Sequence, residues 1–302
     1  MNILGRYQNG NYMVTILRNG TKIRSNNLDC FIPEKPESMD VKITNCCDMG
    51  CPMCHEDSKP DGKHGNILDI PFFDTLNPYT EIAIGGGNPL SHPDLIPFLE
   101  QLKSKKLIPS MTVNQVHFMD NLDLIQDLVD RELIYGIGVS LLSPNGKFVS
   151  AVSRFPNAVI HVINGIVPLV YLKQLAHKGF KILILGYKEF RRGDAMYASE
   201  HDVIESHKRT LYKNLPTIIN DNWFNVVSFD NLAIKQLDPK RLMSEEKWNQ
   251  FYMGDDGQDG ELTSASMYID LVNYEYAANS CSTTRYKVTN DIKDMFQNLR
   301  GV

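Results

Sequence analysis

Short apolar runs recur along the chain, and most of the intervals between them have helical spacing. Six of these runs predict β-strands, at 39–44, 81–85, 110–114, 134–140, 158–164 and 181–186. Leu122, Ile125 and Leu128 illustrate the helical spacing of one interval. Strands that alternate with single helices form βαβ units around a parallel sheet. The pattern therefore predicts an α/β fold, either a partial or full barrel or an open doubly wound sheet, and periodicity does not choose between them.

The two ends of the chain do not follow this alternation of strands and helices. Before residue 30, the β-rich runs "NYMVTIL" and "TKIRS" flank Asn19-Gly20, a strong tight-turn signal, and predict a β-hairpin. A further strand is expected at 224–230. After residue 240 we expect a helix capped by Ser244, a loop at 255–260, a second hairpin around Asn273 and a last short helix. We therefore divide the chain into an N-terminal hairpin and linker (1–37), an α/β unit (38–238) and a C-terminal α+β extension packed on it (239–302).

Composition and cysteine usage narrow the class of protein. The 302 residues have a net charge of −5 and are 42% hydrophobic, as in ordinary soluble proteins, and no polybasic run suggests nucleic-acid binding. No signal peptide or apolar run of membrane-spanning length is seen, so we expect a cytoplasmic protein that does not enter a membrane. Four of the six cysteines fall at 46–54, while Cys30 and Cys281 stand apart. Clustering of this kind favours metal binding or catalysis over disulfides.

Cys47, Cys51 and Cys54 have the spacing C-x3-C-x2-C directly after the first strand of the α/β unit. Three thiolates can bind three irons of a [4Fe-4S] cluster and leave the fourth iron open for a ligand. The alternative is a zinc site that adds Cys46 or His55 to the three cysteines, or draws on the more distant His64. We expect the Cys46 side chain to point away from the other three.

A glycine-rich segment follows the second strand, and together with the cysteines it resembles a known family. The segment "IGGGNPLSHPDL" is similar to the Gly-Gly-Glu-Pro motif of the radical S-adenosylmethionine (radical SAM) enzymes, with the match at Gly86, Gly87, Asn88 and Pro89. Asn88 replaces the usual Glu, and Met53 stands where an aromatic residue is common before the last cysteine. The resemblance covers roughly residues 38–190.

The resemblance implies a fold, two cofactors and a set of contacts. It implies a partial (β/α)6 TIM-type barrel, a [4Fe-4S] cluster on the three cysteines, and S-adenosyl-L-methionine held by the Gly86–Pro89 turn. Further contacts to that ligand are expected from the strand ends at Asn114, Ser140 and Asn164. The implied chemistry is reductive cleavage of S-adenosylmethionine, driven by a flavodoxin or ferredoxin, and removal of a hydrogen atom from a substrate by the 5′-deoxyadenosyl radical.

The substrate and the reaction subtype stay open at this point. A small molecule, a peptide or a nucleotide fits equally, and so do modification, epimerisation and dehydrogenation. Cys281 is interpreted either as a packed thiol or as a hydrogen-atom donor to a substrate radical. The alternative function is a non-catalytic binding protein of the same fold, stabilised by zinc or by an Fe–S cluster.

Overall fold

A ten-stranded sheet dominates the computed structural model, which describes residues 2–28, 30–252, 254–256 and 262–301. The strands are β1 Ile3–Asn9, β2 Tyr12–Leu17, β3 Lys22–Ser25, β4 Ser38–Thr44, β5 Glu81–Gly86, β6 Ile108–Asn114, β7 Gly136–Ser140, β8 Ala158–Ile163, β9 Lys181–Leu185, β10 Val226–Phe229, β11 Ser266–Asp270, β12 Glu275–Ala277 and β13 Tyr286–Lys287. The helices are α1 Leu95–Ser104, α2 Gln115–Asp120, α3 Leu122–Asp130, α4 Gly146–Val152, α5 Leu169–Leu175, α6 Arg192–Asn220, α7 Asn231–Leu237, α8 Glu245–Phe251 and α9 Ile292–Arg300. The six strands and the extra strand that the apolar runs predict are all present, with shifts of one or two residues at their ends.

The order of the strands gives a large sheet that is mainly parallel. From β4 to β10 every strand pairs in parallel with the next strand in the chain. After β10 the chain returns across the sheet, and β11 pairs with the other edge of β4. The two outer strands of the sheet, β10 and β13, do not pair with each other among the described residues, so the barrel is not closed. The α/β prediction is thus confirmed as a large, mainly parallel sheet.

The C-terminal segment, residues 262–301, adds strands to this same sheet. Strand β11 pairs in parallel with β4, with Ile269 opposite Val41, and β12 and β13 continue the edge in antiparallel fashion. The predicted helix after Ser244, the hairpin around Asn273 and the final helix are confirmed. Four residues of the predicted loop at 255–260 lie outside the described residues.

The N-terminal prediction of a hairpin was incomplete, because β1 joins β2 and β3 in a three-stranded antiparallel sheet. The buried positions of β1 are Gly5, Tyr7 and Asn9, so its inner face carries one apolar side chain and its alternation is hidden. A Cβ at Gly5 would lie 2.4 Å from the ring of Tyr79, which explains the glycine. This small sheet packs Tyr7, Tyr12 and its neighbours onto Ile108.

Alternation along the parallel strands separates the core from an internal cavity. In β4, Val41 and Ile43 are buried in the main apolar core, which helices such as α1 cover with side chains at i, i+3, i+4 and i+7. Asp40 and Lys42 point to the other face of the sheet. The helices of the described residues include none that combines the length and apolarity needed to cross a lipid bilayer.

Candidate functional site

One cavity of about 390 Å³ occupies the face of the sheet opposite the helices. Side chains from six consecutive strands, β4 to β9, line it, and so do residues of the loop that follows β4. Ligand sites in parallel α/β proteins lie at the carboxyl ends of the strands, where this cavity receives Asn114 and Ser140. The cavity is therefore the candidate active site.

The loop after β4, residues 45–65 and hereafter the cysteine loop, is held by its own backbone. Asn45 N donates to Lys63 O at 2.8 Å, and Cys47 N donates to Lys59 O at 2.9 Å. These bonds return the loop alongside the end of β4. The thiols of Cys47, Cys51 and Cys54 all line the cavity, and they are the three cysteines that do so in the described part of the chain.

The electrostatics of these thiols fit a cationic partner. Burial raises the pKa of the Cys47 and Cys51 thiols, and the nearby Cys54 raises both further. A positive group beside the Cys47 and Cys51 thiols would oppose both effects and favour their thiolates. An iron–sulfur cluster supplies that charge, so the donor set is compatible with the predicted cofactor.

The additional ligands of the zinc alternative have other partners. Cys46 Sγ donates to the carbonyl of Pro60 at 3.3 Å and lies outside the cavity lining. His55 Nε2 lies 3.2 Å from Lys188 Nζ and 3.4 Å from Glu56 Oε1. His64 Nδ1 is 2.9 Å from Thr44 Oγ1. These contacts do not favour any of the three as a fourth ligand to the cysteines.

A different trio could hold a single ion. In the described residues, ligand atoms of Cys47, Asp48 and His117 lie within 4.8 Å of one another. His117 Nε2 is 2.7 Å from Asp48 Oδ1, so these two side chains already satisfy each other. The C-x3-C-x2-C spacing did not predict a role for His117, because this residue lies on α2, two strands away from the cysteine loop.

The glycine-rich turn after β5 packs directly on the cysteine loop. Gly87 N donates to Thr44 O, and Asn88 N donates to Cys46 O, each at 2.7 Å. A Cβ at Gly87 would lie 2.2 Å from the carbonyl oxygen of Cys46. Gly86 has a φ of +109°, which side chains rarely adopt. Close approach of the two loops thus accounts for glycine at both positions, and contact of this turn with S-adenosylmethionine stays a prediction. Gly85 differs, since a Cβ there would meet no atom within 4 Å and Gly85 lines the cavity.

The remaining predicted contacts divide into two groups. Gly86, Gly87, Asn114 and Ser140 line the cavity, and Asn114 Nδ2 lies 3.8 Å from Cys51 Sγ. Asn88, Pro89 and Asn164 do not line it. The Asn88 side chain caps a short turn by accepting from Leu90 N at 3.2 Å. Asn164 is fully buried and donates to Gln236 Oε1 at 2.9 Å, which favours a structural role.

A buried ionic cluster beside the cavity was missed at the level of the sequence. Lys42 Nζ lies 2.7 Å from Glu56 Oε2 and 3.3 Å from Asp270 Oδ2, and all three side chains are almost completely buried. Burial alone would raise the pKa of Glu56, but His55 and Lys42 outweigh it and hold the pKa well below its usual 4.5. Burial lowers the pKa of His55, and the nearby Lys188 lowers it further. The signal was the strand "MDVKIT", in which Asp40 and Lys42 alternate with apolar residues.

The C-terminal segment reaches the cavity, as expected, but through a different residue. Ser280 and Tyr268 line the cavity, and Cys281 does not. The backbone N–H of Cys281 donates to Asn279 Oδ1 at 2.9 Å, and its side chain is half-buried. The role of Cys281 as a hydrogen-atom donor stays a prediction.

Comparisons with solved structures show the fold. Three structures of SuiB from Streptococcus suis are similar to this chain. The structure bound to S-adenosylmethionine is 12% identical, with 98% of this chain and 87% of that chain covered and a TM-score of 0.59. The structure bound to the precursor peptide SuiA is 14% identical, with 89% of this chain and 67% of that chain covered and a TM-score of 0.56. A third SuiB structure is 11% identical, with 98% of this chain and 87% of that chain covered and a TM-score of 0.57.

No family model and no curated protein sequence matches the chain. The likeness is therefore one of fold.

Proposed function

We propose that this chain is a radical SAM enzyme that holds a [4Fe-4S] cluster on Cys47, Cys51 and Cys54. The observation that carries the proposal is that these three thiols and the Gly85–Gly87 backbone line one cavity. The bound cofactors would supply one-electron cleavage of S-adenosylmethionine and a radical able to remove a hydrogen atom from a substrate. This is the chemistry that the family resemblance implies.

The chain's own residues would position the reactants and exclude water. The backbone bonds of the cysteine loop fix the spacing of the three thiols, and Asn114 and Ser140 offer polar contacts to S-adenosylmethionine. Apolar side chains such as Ile163, Ile166 and Leu185 cover much of the remaining wall. Since six consecutive strands contribute to the lining of one cavity, we infer that the sheet curves around it as a partial (β/α)6 barrel, with the domain limits given above.

A peptide is the substrate class that the comparisons support best, because one SuiB structure is bound to the precursor peptide SuiA. We propose a flavodoxin or ferredoxin as the electron donor, in a cytoplasmic setting, since cleavage of a sulfonium needs a low-potential donor. Cys281 is retained as a proposed hydrogen-atom donor, to be tested separately from the cluster.

The test is anaerobic reconstitution of the purified chain with iron and sulfide, followed by metal analysis. About four irons and four sulfides per chain are expected, and dithionite with S-adenosylmethionine should yield 5′-deoxyadenosine, measured by mass spectrometry. A chain that retains zinc, takes up no cluster and cleaves no S-adenosylmethionine would instead support the non-catalytic binding protein. The trio of Cys47, Asp48 and His117 is the observation that favours this second candidate.

A further inference from the structure

Asp40 is an acidic side chain inside the cavity that the proposed chemistry does not use. It lies in β4 between Ala83 of β5 and Tyr268 of β11, which are its partners in register. The small side chain of Ala83 leaves space beside it. The Asp40 side chain is exposed and lines the cavity.

The carboxylate of Asp40 has no hydrogen bond or ion pair with any described residue of the chain. Its neighbour on the same face, Lys42, is already neutralised by Glu56 and Asp270. The other ammonium that lines the cavity, Lys188, donates to Ser280 Oγ at 2.9 Å and lies 3.2 Å from His55 Nε2. The fold therefore supplies close partners to every charge in this group except Asp40.

The surroundings of Asp40 disfavour a lone negative charge. Burial raises the pKa of the Asp40 carboxyl, Lys188 opposes the rise, and Asp230 and Glu56 add to it. An arriving cation would reverse this balance, because a close opposite charge favours the ionised carboxylate. A carboxylate left without a partner in an enclosed site is typical of a position that a ligand completes.

The apolar lining of the cavity around Asp40 indicates what kind of group would carry the ligand's positive charge. Apolar side chains line the cavity, among them Met49, Met53, Ile163, Ile166, Val167 and Tyr171. They suit a flexible aliphatic stem, and the carboxylate suits a positively charged head. The two features together describe one class of ligand.

We infer that Asp40 is a specificity-determining residue that binds the protonated amine or guanidinium at the end of an aliphatic chain of the substrate. The inference rests on the proposed function, since it concerns the substrate of the same cavity. A lysine or arginine side chain of a peptide has this chemistry, and so does a free alkylamine.

The test measures binding and does not depend on turnover. The reconstituted chain with S-adenosylmethionine is titrated in a calorimeter with Nα-acetyl-lysine N-methylamide and with its uncharged analogue, Nα-acetyl-norleucine N-methylamide. We expect the lysine probe to bind at least about tenfold more tightly, in line with the effect of a desolvated charge pair. In Asp40→Asn the two affinities should become equal, and in Asp40→Glu part of the preference should return. Asp123→Asn, which removes an exposed charge outside the cavity, is the matched control and should keep the full preference.

The outcomes are distinguishable from those of the proposed function. Equal affinity for the two probes in the natural chain, including no measurable binding of either, overturns the inference, and so does a preference that survives in Asp40→Asn. Either result leaves cluster content and cleavage of S-adenosylmethionine unaffected. n-Butylamine serves as a second cationic probe. If it binds as tightly as the lysine probe, the inference holds and the source of the cation is a free amine rather than a peptide side chain.

Discussion

The ammonium of Lys188 donates a hydrogen bond to the hydroxyl of Ser280 at 2.9 Å and so joins the loop after β9 to the C-terminal segment at the cavity. The same nitrogen lies 3.2 Å from His55 Nε2 in the cysteine loop. Three segments that are far apart in the sequence therefore meet at one side chain. The C-terminal segment is part of the wall of the cavity as well as of the sheet, and the variants below separate the roles of these parts.

Removal of one predicted cluster ligand should abolish the cluster. In Cys51→Ala, iron and sulfide content after anaerobic reconstitution should fall close to zero, because the remaining two thiols would ligate only two of the four irons. The matched control is Cys46→Ala, whose thiol donates to Pro60 O outside the cavity and whose loss should leave iron content unchanged. A full cluster in Cys51→Ala, or none in Cys46→Ala, would mean that the ligand set is wrong.

Two glycines of the same turn, Gly85 and Gly87, should give different results. Gly85→Val places its side chain in the open cavity, so binding of S-adenosylmethionine should weaken by about tenfold or more while iron content stays normal. Gly87→Val forces a Cβ against the carbonyl of Cys46, so the cysteine loop should shift and iron content should fall. Calorimetry and iron analysis on both variants check this. Unchanged affinity in Gly85→Val would place the ligand elsewhere.

The buried ionic cluster should make a large contribution to stability. Lys42→Met removes the cation that lies between the buried carboxylates of Glu56 and Asp270 and leaves Glu56 only the more distant Arg191, and we expect a loss of about 3–5 kcal/mol in the free energy of unfolding measured with urea. Lys59→Met is the control, because Lys59 and Asp57 form an exposed pair at 3.5 Å and such pairs contribute at most about 1 kcal/mol. Similar losses of unfolding free energy in Lys42→Met and Lys59→Met would contradict a large contribution of the buried ionic cluster to stability.

Acid should destabilise the chain through Glu56. The pKa of Glu56 is lowered in the folded chain, so between its usual 4.5 and the folded value the unfolded chain binds the proton and the folded chain does not. The stabilisation from this group is present above pH 4.5 and is lost as the pH falls through the folded pKa. The slope contributed by one group is at most about 1.4 kcal/mol per pH unit. Urea unfolding at a series of acidic pH values should show a shallower decrease in Lys42→Met, and an equal decrease would exclude Glu56 as the cause.

The proposed donor role of Cys281 has a sharp signature. If the thiol gives its hydrogen atom to a substrate radical, Cys281→Ala should still cleave S-adenosylmethionine, form no product and accumulate an organic radical visible by electron paramagnetic resonance. Ser280→Ala, which alters the neighbouring residue that does line the cavity, is the control for disturbance of the wall. Normal product formation by Cys281→Ala would exclude the donor role.

Local patterns were sufficient for most strands and helices, and they failed where tertiary contacts decide. The apolar runs located β4 to β10 because both faces of a parallel strand are covered, whereas β1 was missed because its inner face carries Gly5 and Asn9. The cysteines and the glycine-rich turn were recognisable because their spacing is local. The partnership of Lys42 with Asp270 was not, since these residues meet only through the pairing of β11 with β4.

That pairing also sets an order of events during synthesis of the chain. Strand β4 and the cysteine loop are made before β11, so one edge of β4 has no hydrogen-bonding partner until residues 266–270 have left the ribosome. Until then Lys42 lacks Asp270, and the cavity lacks the wall that Tyr268 and Ser280 provide. The complete wall of the cavity therefore forms only after residues 266–280 have been synthesised, long after the cysteine loop.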